Sequence, residues 1–340
     1  MLYIHQFPDW TRFRYDSRRV MDALGQARLA EGRLIGILEM CRLKDFESEQ
    51  LAADIVANYA IDGHSLSTNA VKKDVELLNQ GKHNFIKNYI GAIQNSSAPL
   101  TLERICNWHA AMGQNKVMQF RNDASEISFA DETRTLNFAG PNPERLQNEM
   151  EHFLTWFETA EMDGVIKAAI AHFWFLTLRP FADANGRLAR TITAMQLARA
   201  EQSSGIQYAL NVQILENRIE YFRILAKTQA GNGDLTEWIL WFLKMMQQAI
   251  SRSEQTIAPE IRQIAFGNLH AGESFSERAI LLMKALQDGS LPKSFTSREA
   301  AALFGTSHDT AHREIQILMD KGILQADKKG GRSQRYSLVE

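Results

Sequence analysis

Apolar residues recur every three or four positions along most of this chain, the spacing of helices that bury one face. Val20, Leu24, Ala27, Leu34 and Leu38 follow Asp16 and Ser17, either of which can cap a helix reaching Cys41. The same period predicts helices over 47–60, 71–78, 84–93, 100–112, 144–160, 165–178, 188–200, 211–230 and 237–250. It breaks between Gln119 and Phe138. There Phe120, Ile127, Phe129, Leu136 and Phe138 stand among polar residues, which predicts a short hairpin with Asp131 and Glu132 near its turn. Residues 251–275 form a mixed, polar connector with some helical character. Beyond it a helix is predicted over 276–287. A shorter one opens on Thr296-Ser297-Arg298-Glu299, patterned as a capping box, and ends at Gly305. A third runs from Asp309 to Lys321, and alternating segments at 323–327 and 334–339 flank Lys328-Lys329-Gly330-Gly331-Arg332. The pattern is mainly α with a small β-hairpin, followed by an α+β module.

Composition narrows this picture. With 340 residues and 45% hydrophobic content the chain can bury a large core, enough for two or three domains. A formal charge of −2 carries no overall bias toward nucleic acid. Cys41 and Cys106 are far apart, which argues against a zinc site or a disulfide framework and fits a reducing cytosol. No basic start leads into an apolar leader, and no run approaches the ~18 apolar residues of a membrane span. A soluble cytoplasmic protein is the expectation. The aromatic start, with Tyr3, Phe7, Trp10, Phe13 and Tyr15, is expected to dock on the rest of the chain.

One stretch carries the candidate chemistry: Leu178-Arg179-Pro180-Phe181-Ala182-Asp183-Ala184-Asn185-Gly186-Arg187-Leu188-Ala189-Arg190. Pro180 stops the preceding helix and biases Arg179 toward extended backbone. Asn185-Gly186 is turn chemistry, and Gly186 lets backbone approach a ligand. A second helix begins there, so free backbone N–H groups, Arg187 and Arg190 face one space, an arrangement suited to phosphate. Asp183 supplies a hard oxygen for a magnesium ion.

The stretch resembles the Fic family motif, His-Pro-Phe-x-Asp/Glu-Gly-Asn-Gly-Arg-x-x-Arg. The resemblance implies a helical fold that binds ATP with Mg2+ and transfers AMP to a hydroxyl of a target protein. By that likeness Asp183 holds the metal, Asn185, Gly186 and Arg187 cradle the phosphates, and Arg190 reaches the terminal one. Two positions depart from the motif. Arg179 stands where the family has the histidine base, and Ala184 replaces a glycine. A guanidinium stays protonated above pH 12 and cannot take a proton from a hydroxyl. Arg179 is either inherited or introduced, and as a cation it can itself hold phosphate. His172 is two turns earlier, roughly 10 Å along a helix, and reads as a packing residue, as does His109.

The likeness extends on both sides, over roughly residues 1–250. The helices of 1–95 resemble an extension that precedes many bacterial Fic domains. It closes on Asn58-Tyr59-Ala60-Ile61-Asp62-Gly63, similar to an inhibitory segment reading Ser/Thr-x-x-x-Glu-Gly. In the family its glutamate pairs with the second motif arginine. Asp62 is one methylene shorter, so its reach to Arg190 stays open, a solvated aspartate before a helix-ending Gly63 being the alternative. The 119–138 hairpin is the flap that clamps a target protein in the family. Residues 96–250 are thus the Fic-like domain.

Residues 276–340 resemble a winged helix-turn-helix. His308, Thr310, His312, Arg313 and Gln316 would face outward on its recognition helix, and Lys328, Lys329 and Arg332 would form a basic wing. DNA is one expected partner and a protein the other. Three functions therefore stand open: a Fic-type AMP-transferase, a nucleotide-binding protein with that activity weak or lost (favoured by Arg179) that senses for a DNA-binding module, and a structural protein with a vestigial site. A homodimer also stays open.

Overall fold

In a computed structural model of the protein, the described residues are 2–41, 43, 45–77, 83–112, 119–130, 135–203, 205–269, 275–327 and 334–339. They divide into two compact units, Met1–Glu254 and Gln255–Glu340. The first contains α1 (Ser17–Cys41), α2 (Phe46–Ile61), α3 (Thr68–Glu76), α4 (Asn84–Gln94) and α5 (Leu102–Met112). The antiparallel pair β1 (Glu126–Ala130) and β2 (Thr135–Ala139) follows, with Glu126 opposite Ala139. Next come α6 (Leu146–Thr159), α7 (Gly164–Leu178), α8 (Asn185–Glu201), α9 (Leu210–Glu216), α10 (Arg218–Gln229) and α11 (Thr236–Leu269), whose residues up to Glu254 belong to this unit.

The centre of the first unit is α7, buried on every side from Val165 to Leu178. A helix apolar all round is a core helix, which explains its lack of an amphipathic pattern. Asp163 caps it, its Oδ1 accepting from the Val165 and Ile166 amides at 2.8 and 3.2 Å. α8 lies along α7, and Gly164 permits the approach: a Cβ there would sit 2.4 Å from the Ala200 Cβ. The aromatic N-terminal segment docks as expected, with Trp10 and Phe13 edge-on to Trp174 at 5.7 and 5.2 Å. On the other side α2, α3 and α4 share a second cluster through Ile55, Val71, Val75, Ile86, Ile90 and Ile93.

Two expectations are corrected. The single helix over 211–230 is two, α9 and α10, because Asn217 leaves helical geometry at φ −106° and its carbonyl starts the next helix by accepting from Tyr221. The helix over 237–250 continues to Leu269, through the first part of the polar connector. Ser253 and Ile257 there are both 1% exposed, so a buried stripe persists beneath a polar surface. Asp131 and Glu132, read as the hairpin turn, lie outside the described residues.

The second unit holds α12 (Glu277–Asp288), β3 (Ser294–Thr296), α13 (Ser297–Phe304), α14 (His308–Asp320), β4 (Leu324–Ala326) and β5 (Arg335–Leu338). The strands form an antiparallel sheet in the order β3-β5-β4. β3 was not predicted, being three residues long and too short to show alternation. Leu282, Phe295, Ala311, Ile315, Leu318 and Tyr336 form its core. Thr296 and Glu299 make the expected capping box, and Gly305 ends α13 at φ +60°. No described helix is long and apolar enough to cross a membrane.

Candidate functional site

The site begins where α7 ends. Arg179 caps it and adopts the left-handed conformation, φ 46° and ψ 59°, not the extended one expected before proline. Proline disfavours right-handed helical backbone in its predecessor, and here neighbouring contacts select the rarer escape. Arg121 makes those contacts. Its Nε donates to the Arg179 carbonyl at 2.8 Å, Nη1 to the Asp123 carbonyl at 2.7 Å, and Nη2 to the Pro141 carbonyl at 2.5 Å. Its amide donates to the Pro180 carbonyl at 2.9 Å. One buried side chain thus ties the motif loop to both ends of the hairpin. Arg179 itself points Nε at Ser125 Oγ, 2.8 Å away, beside the first strand. Burial and the nearby Arg121 lower its pKa, while Asp62 opposes them.

The loop then closes on itself. Asn185 Nδ2 donates to the Phe181 carbonyl at 2.7 Å and its Oδ1 accepts from the Phe181 amide at 3.0 Å. Its side chain is spent on shaping the turn. Ala184 sits at φ 57°, where a glycine would be unstrained and a side chain costs roughly 1–2 kcal/mol. Asp183 is exposed, and its Oδ1 lies 3.0 Å from His109 Nε2. The His109 ring stacks on Phe181 with centroids 4.2 Å apart. His109, read from sequence as a packing group, is therefore also the polar partner of Asp183.

From α8, Arg187 and Arg190 converge on α2. Arg190 is 1% exposed. Its Nε donates to Asn58 Oδ1 at 2.7 Å, and Nη2 donates to the Asn58 carbonyl at 2.9 Å and pairs with Asp62 Oδ2 at 3.0 Å. Burial works against this charge, but Asp62 and Tyr221 more than offset it and raise the pKa above the ordinary arginine value. Arg187 lies over the Tyr59 ring at 5.0 Å, donates to the Met112 carbonyl at 3.2 Å, and its Nε is 3.6 Å from Asp62 Oδ2. The shorter aspartate thus does reach both motif arginines. It does so because Asp62 lies directly above the start of α8: a Cβ on Gly186 would be 2.8 Å from Asp62 Oδ1. Gly63, at φ +83°, turns the chain away afterwards.

This geometry is an anion site filled by the protein's own carboxylate. Two buried guanidinium groups and a side-chain-free Gly186 surround one carboxylate at the start of α8. Among the described residues the buried Asn58 Nδ2 has no hydrogen-bond partner and Arg187 Nε has only the long contact to Asp62. A phosphate, with more acceptor oxygens than a carboxylate, fits this set. Asp183, exposed on the loop before it, fits a phosphate-bound Mg2+. His172, in contrast, is fully buried between Thr193 Oγ1 and Tyr221 Oη, each 2.9 Å away, and is a packing residue.

In the second unit His312, Arg313 and Gln316 are exposed on α14. His312 Nδ1 is 3.4 Å from Tyr336 Oη, and Gln316 donates to Asp320 at 2.9 Å. Thr310 is half-buried and faces the Ser307 cap, not outward as expected. Lys328, Lys329 and Arg332 lie outside the described residues.

A helical core thus presents two arginines and a glycine at one helix start, with a carboxylate held against them. Residues 99–197 match the Fic/DOC family model, and the chain carries a Fic/DOC family domain. Residues 3–76 match a domain of unknown function, DUF4172. The chain is 29% identical over 118 residues to the protein adenylyltransferase fic-1 of Caenorhabditis elegans, covering 34% of this chain and 22% of that protein. Against the fic-1 of Caenorhabditis briggsae it is 30% identical over 113 residues, 32% of this chain and 21% of the relative. The chain thus spans only about a fifth of these relatives' length. A Fic family protein from Desulfovibrio desulfuricans G20 shares the fold, with a TM-score of 0.59 at 17% identity, over 95% of this chain and 97% of the other.

Proposed function

We propose that this protein binds ATP with Mg2+ at the start of α8 in a self-inhibited state, and that its AMP transfer to protein hydroxyls is weak or absent. The observation that carries the reading is the Asp62–Arg190 pair at 3.0 Å over Gly186. Asp62 occupies the position a terminal phosphate needs, so nucleotide must displace it to lie fully in the cradle. Asp183 would hold the metal, and Arg187 and Arg190 would hold phosphate oxygens. When bound, Mg2+ supplies charge neutralisation at the phosphates. Arg179 adds a cation at the base position without proton-accepting capacity, and loss of a general base costs about a hundred- to ten-thousandfold in rate. The hairpin of β1 and β2, beside Arg179, receives the target segment. Calorimetric titration with ATP and Mg2+ tests this: binding that Arg187→Ala weakens is expected, and no heat at millimolar ATP leaves only a vestigial site.

A second reading rests on α13, the turn at Gly305 and α14, followed by antiparallel strands. This is the layout of a winged helix-turn-helix. It supports a DNA-binding regulator in which the Fic domain is a nucleotide sensor or structural module, with His312, Arg313 and Gln316 toward bases and Lys328, Lys329 and Arg332 toward phosphates.

A further inference from the structure

Asp54 and Asn58 of α2 and Asp62 at its C-cap stand four residues apart, the spacing of one helix face. Asn58 and Asp62 bind Arg190. Asp54 binds elsewhere. It is 2% exposed, and its carboxylate accepts three hydrogen bonds: from Tyr89 Oη at 2.5 Å, the Asn211 amide at 2.7 Å and Asn211 Nδ2 at 2.7 Å. Tyr89 belongs to α4 and Asn211 to α9, neither of which carries a motif residue. Asn211 Nδ2 also reaches Tyr89 Oη at 3.0 Å, so the three side chains close a ring of bonds.

We propose that Asp54, held by Tyr89 and Asn211, is the latch that keeps α2 turned so that Asp62 covers Arg190. The inference rests on the self-inhibited reading above. Asp54 is a positioning residue and touches no nucleotide.

Burying a carboxylate is costly, and an apolar side chain of similar size would fill the space more cheaply. What a carboxylate adds is direction. The apolar contacts of Ala52 and Ile55 hold α2 in the α2–α3–α4 cluster, and three donors on one carboxylate add a directional restraint that apolar contacts lack. One residue is about 100° of helix rotation, so a slip by one position takes Asp62 off the cradle. Arg190 also links the two carboxylates electrostatically. Burial raises the Asp54 carboxyl to about 6, against the opposing pull of its hydrogen bonds and of the Arg190 charge. The latch and the inhibitory contact thus share one guanidinium and one helix. Opening the latch raises the share of molecules with Asp62 withdrawn, and apparent nucleotide affinity rises with that share.

The test uses the full chain and titrates ATP with Mg2+ into wild type, Asp62→Gly, Asp54→Asn, Tyr89→Phe and the Asp54→Asn/Asp62→Gly double variant. Asp62→Gly should tighten binding roughly tenfold. Asp54→Asn and Tyr89→Phe should each tighten it in the same direction and speed hydrogen exchange in residues 46–61. The double variant should bind no more tightly than Asp62→Gly alone, since both changes release the same contact. If Asp62→Gly tightens binding while both Asp54→Asn and Tyr89→Phe leave it unchanged, the latch is wrong and the self-inhibited reading stands. If Asp62→Gly itself changes nothing, that reading falls and the latch with it. Should Asp54→Asn fail to fold, Tyr89→Phe, which keeps the ring and removes only the hydroxyl, decides.

Discussion

Arg121 Nε donates to the carbonyl of Arg179 across 2.8 Å, and this bond lies between two cations. Among the described residues this side chain, 6% exposed, bonds to backbone carbonyls only and acts as a strap. It holds residue 179 in left-handed backbone and fixes the hairpin ends against it. The strap thus fixes the backbone of residue 179, whose side chain reaches Ser125 beside the hairpin.

That rigidity makes the base replaceable. Arg179→His is expected to raise AMP incorporation from labelled ATP into the protein or into lysate proteins by about a hundredfold or more. Adding Asp62→Gly should raise it further. Strong labelling by the Arg179 protein itself would mean that another group takes the proton.

Gly164→Ala is expected to destabilise the first unit. The added methyl would lie 2.4 Å from the Ala200 Cβ and 3.2 Å from its Cα, both on the helix that carries the motif. Overpacking of this kind costs about 1–3 kcal/mol. Urea unfolding followed by tryptophan fluorescence checks it, and an unchanged midpoint would show that α7 and α8 separate freely.

His172 should make the fold acid-sensitive. Burial, assisted by Arg190, pushes its imidazole down to about 3. The unfolded chain binds this proton near pH 6.5, so the contribution is complete above that value. It is lost as pH falls from about 6.5 toward 3, with a slope approaching about 1.4 kcal/mol per pH unit. Asp54 has the opposite sign: with its folded value raised to about 6, its stabilising contribution is complete below about 4 and lost as pH rises through 6. Urea unfolding from pH 7 to 4 should therefore show a steeper acid loss for Asp54→Asn than for wild type, and a shallower one for His172→Gln.

The second unit should retard duplex DNA in a mobility-shift assay with the full chain. The shift should fade between about 50 and 200 mM salt, with a slope near −0.9 per phosphate neutralised. Arg313→Ala should weaken it, and the combined Lys328, Lys329 and Arg332 to alanine change should lower the slope. No shift at low salt would assign this unit to protein contact.

What the sequence determined by itself is local. Helix limits at Ser17, Gly63 and Gly305, the Thr296–Glu299 box and the motif turn follow from propensities and spacings within a few residues. The clustering of Arg187 and Arg190 at one helix start was legible for the same reason, because they lie within one helical turn. The tertiary structure decided everything that joins distant segments. Asp62 meets Arg190, Asp54 meets Tyr89 and Asn211, His109 meets Asp183, and Arg121 straps Arg179. Polar pairs of this kind leave no periodicity in the chain, since each rests on single side chains brought together by the burial of others. The same holds for α11, where a polar surface concealed a continuing buried stripe, and for Arg179, whose backbone follows its neighbours rather than the proline after it.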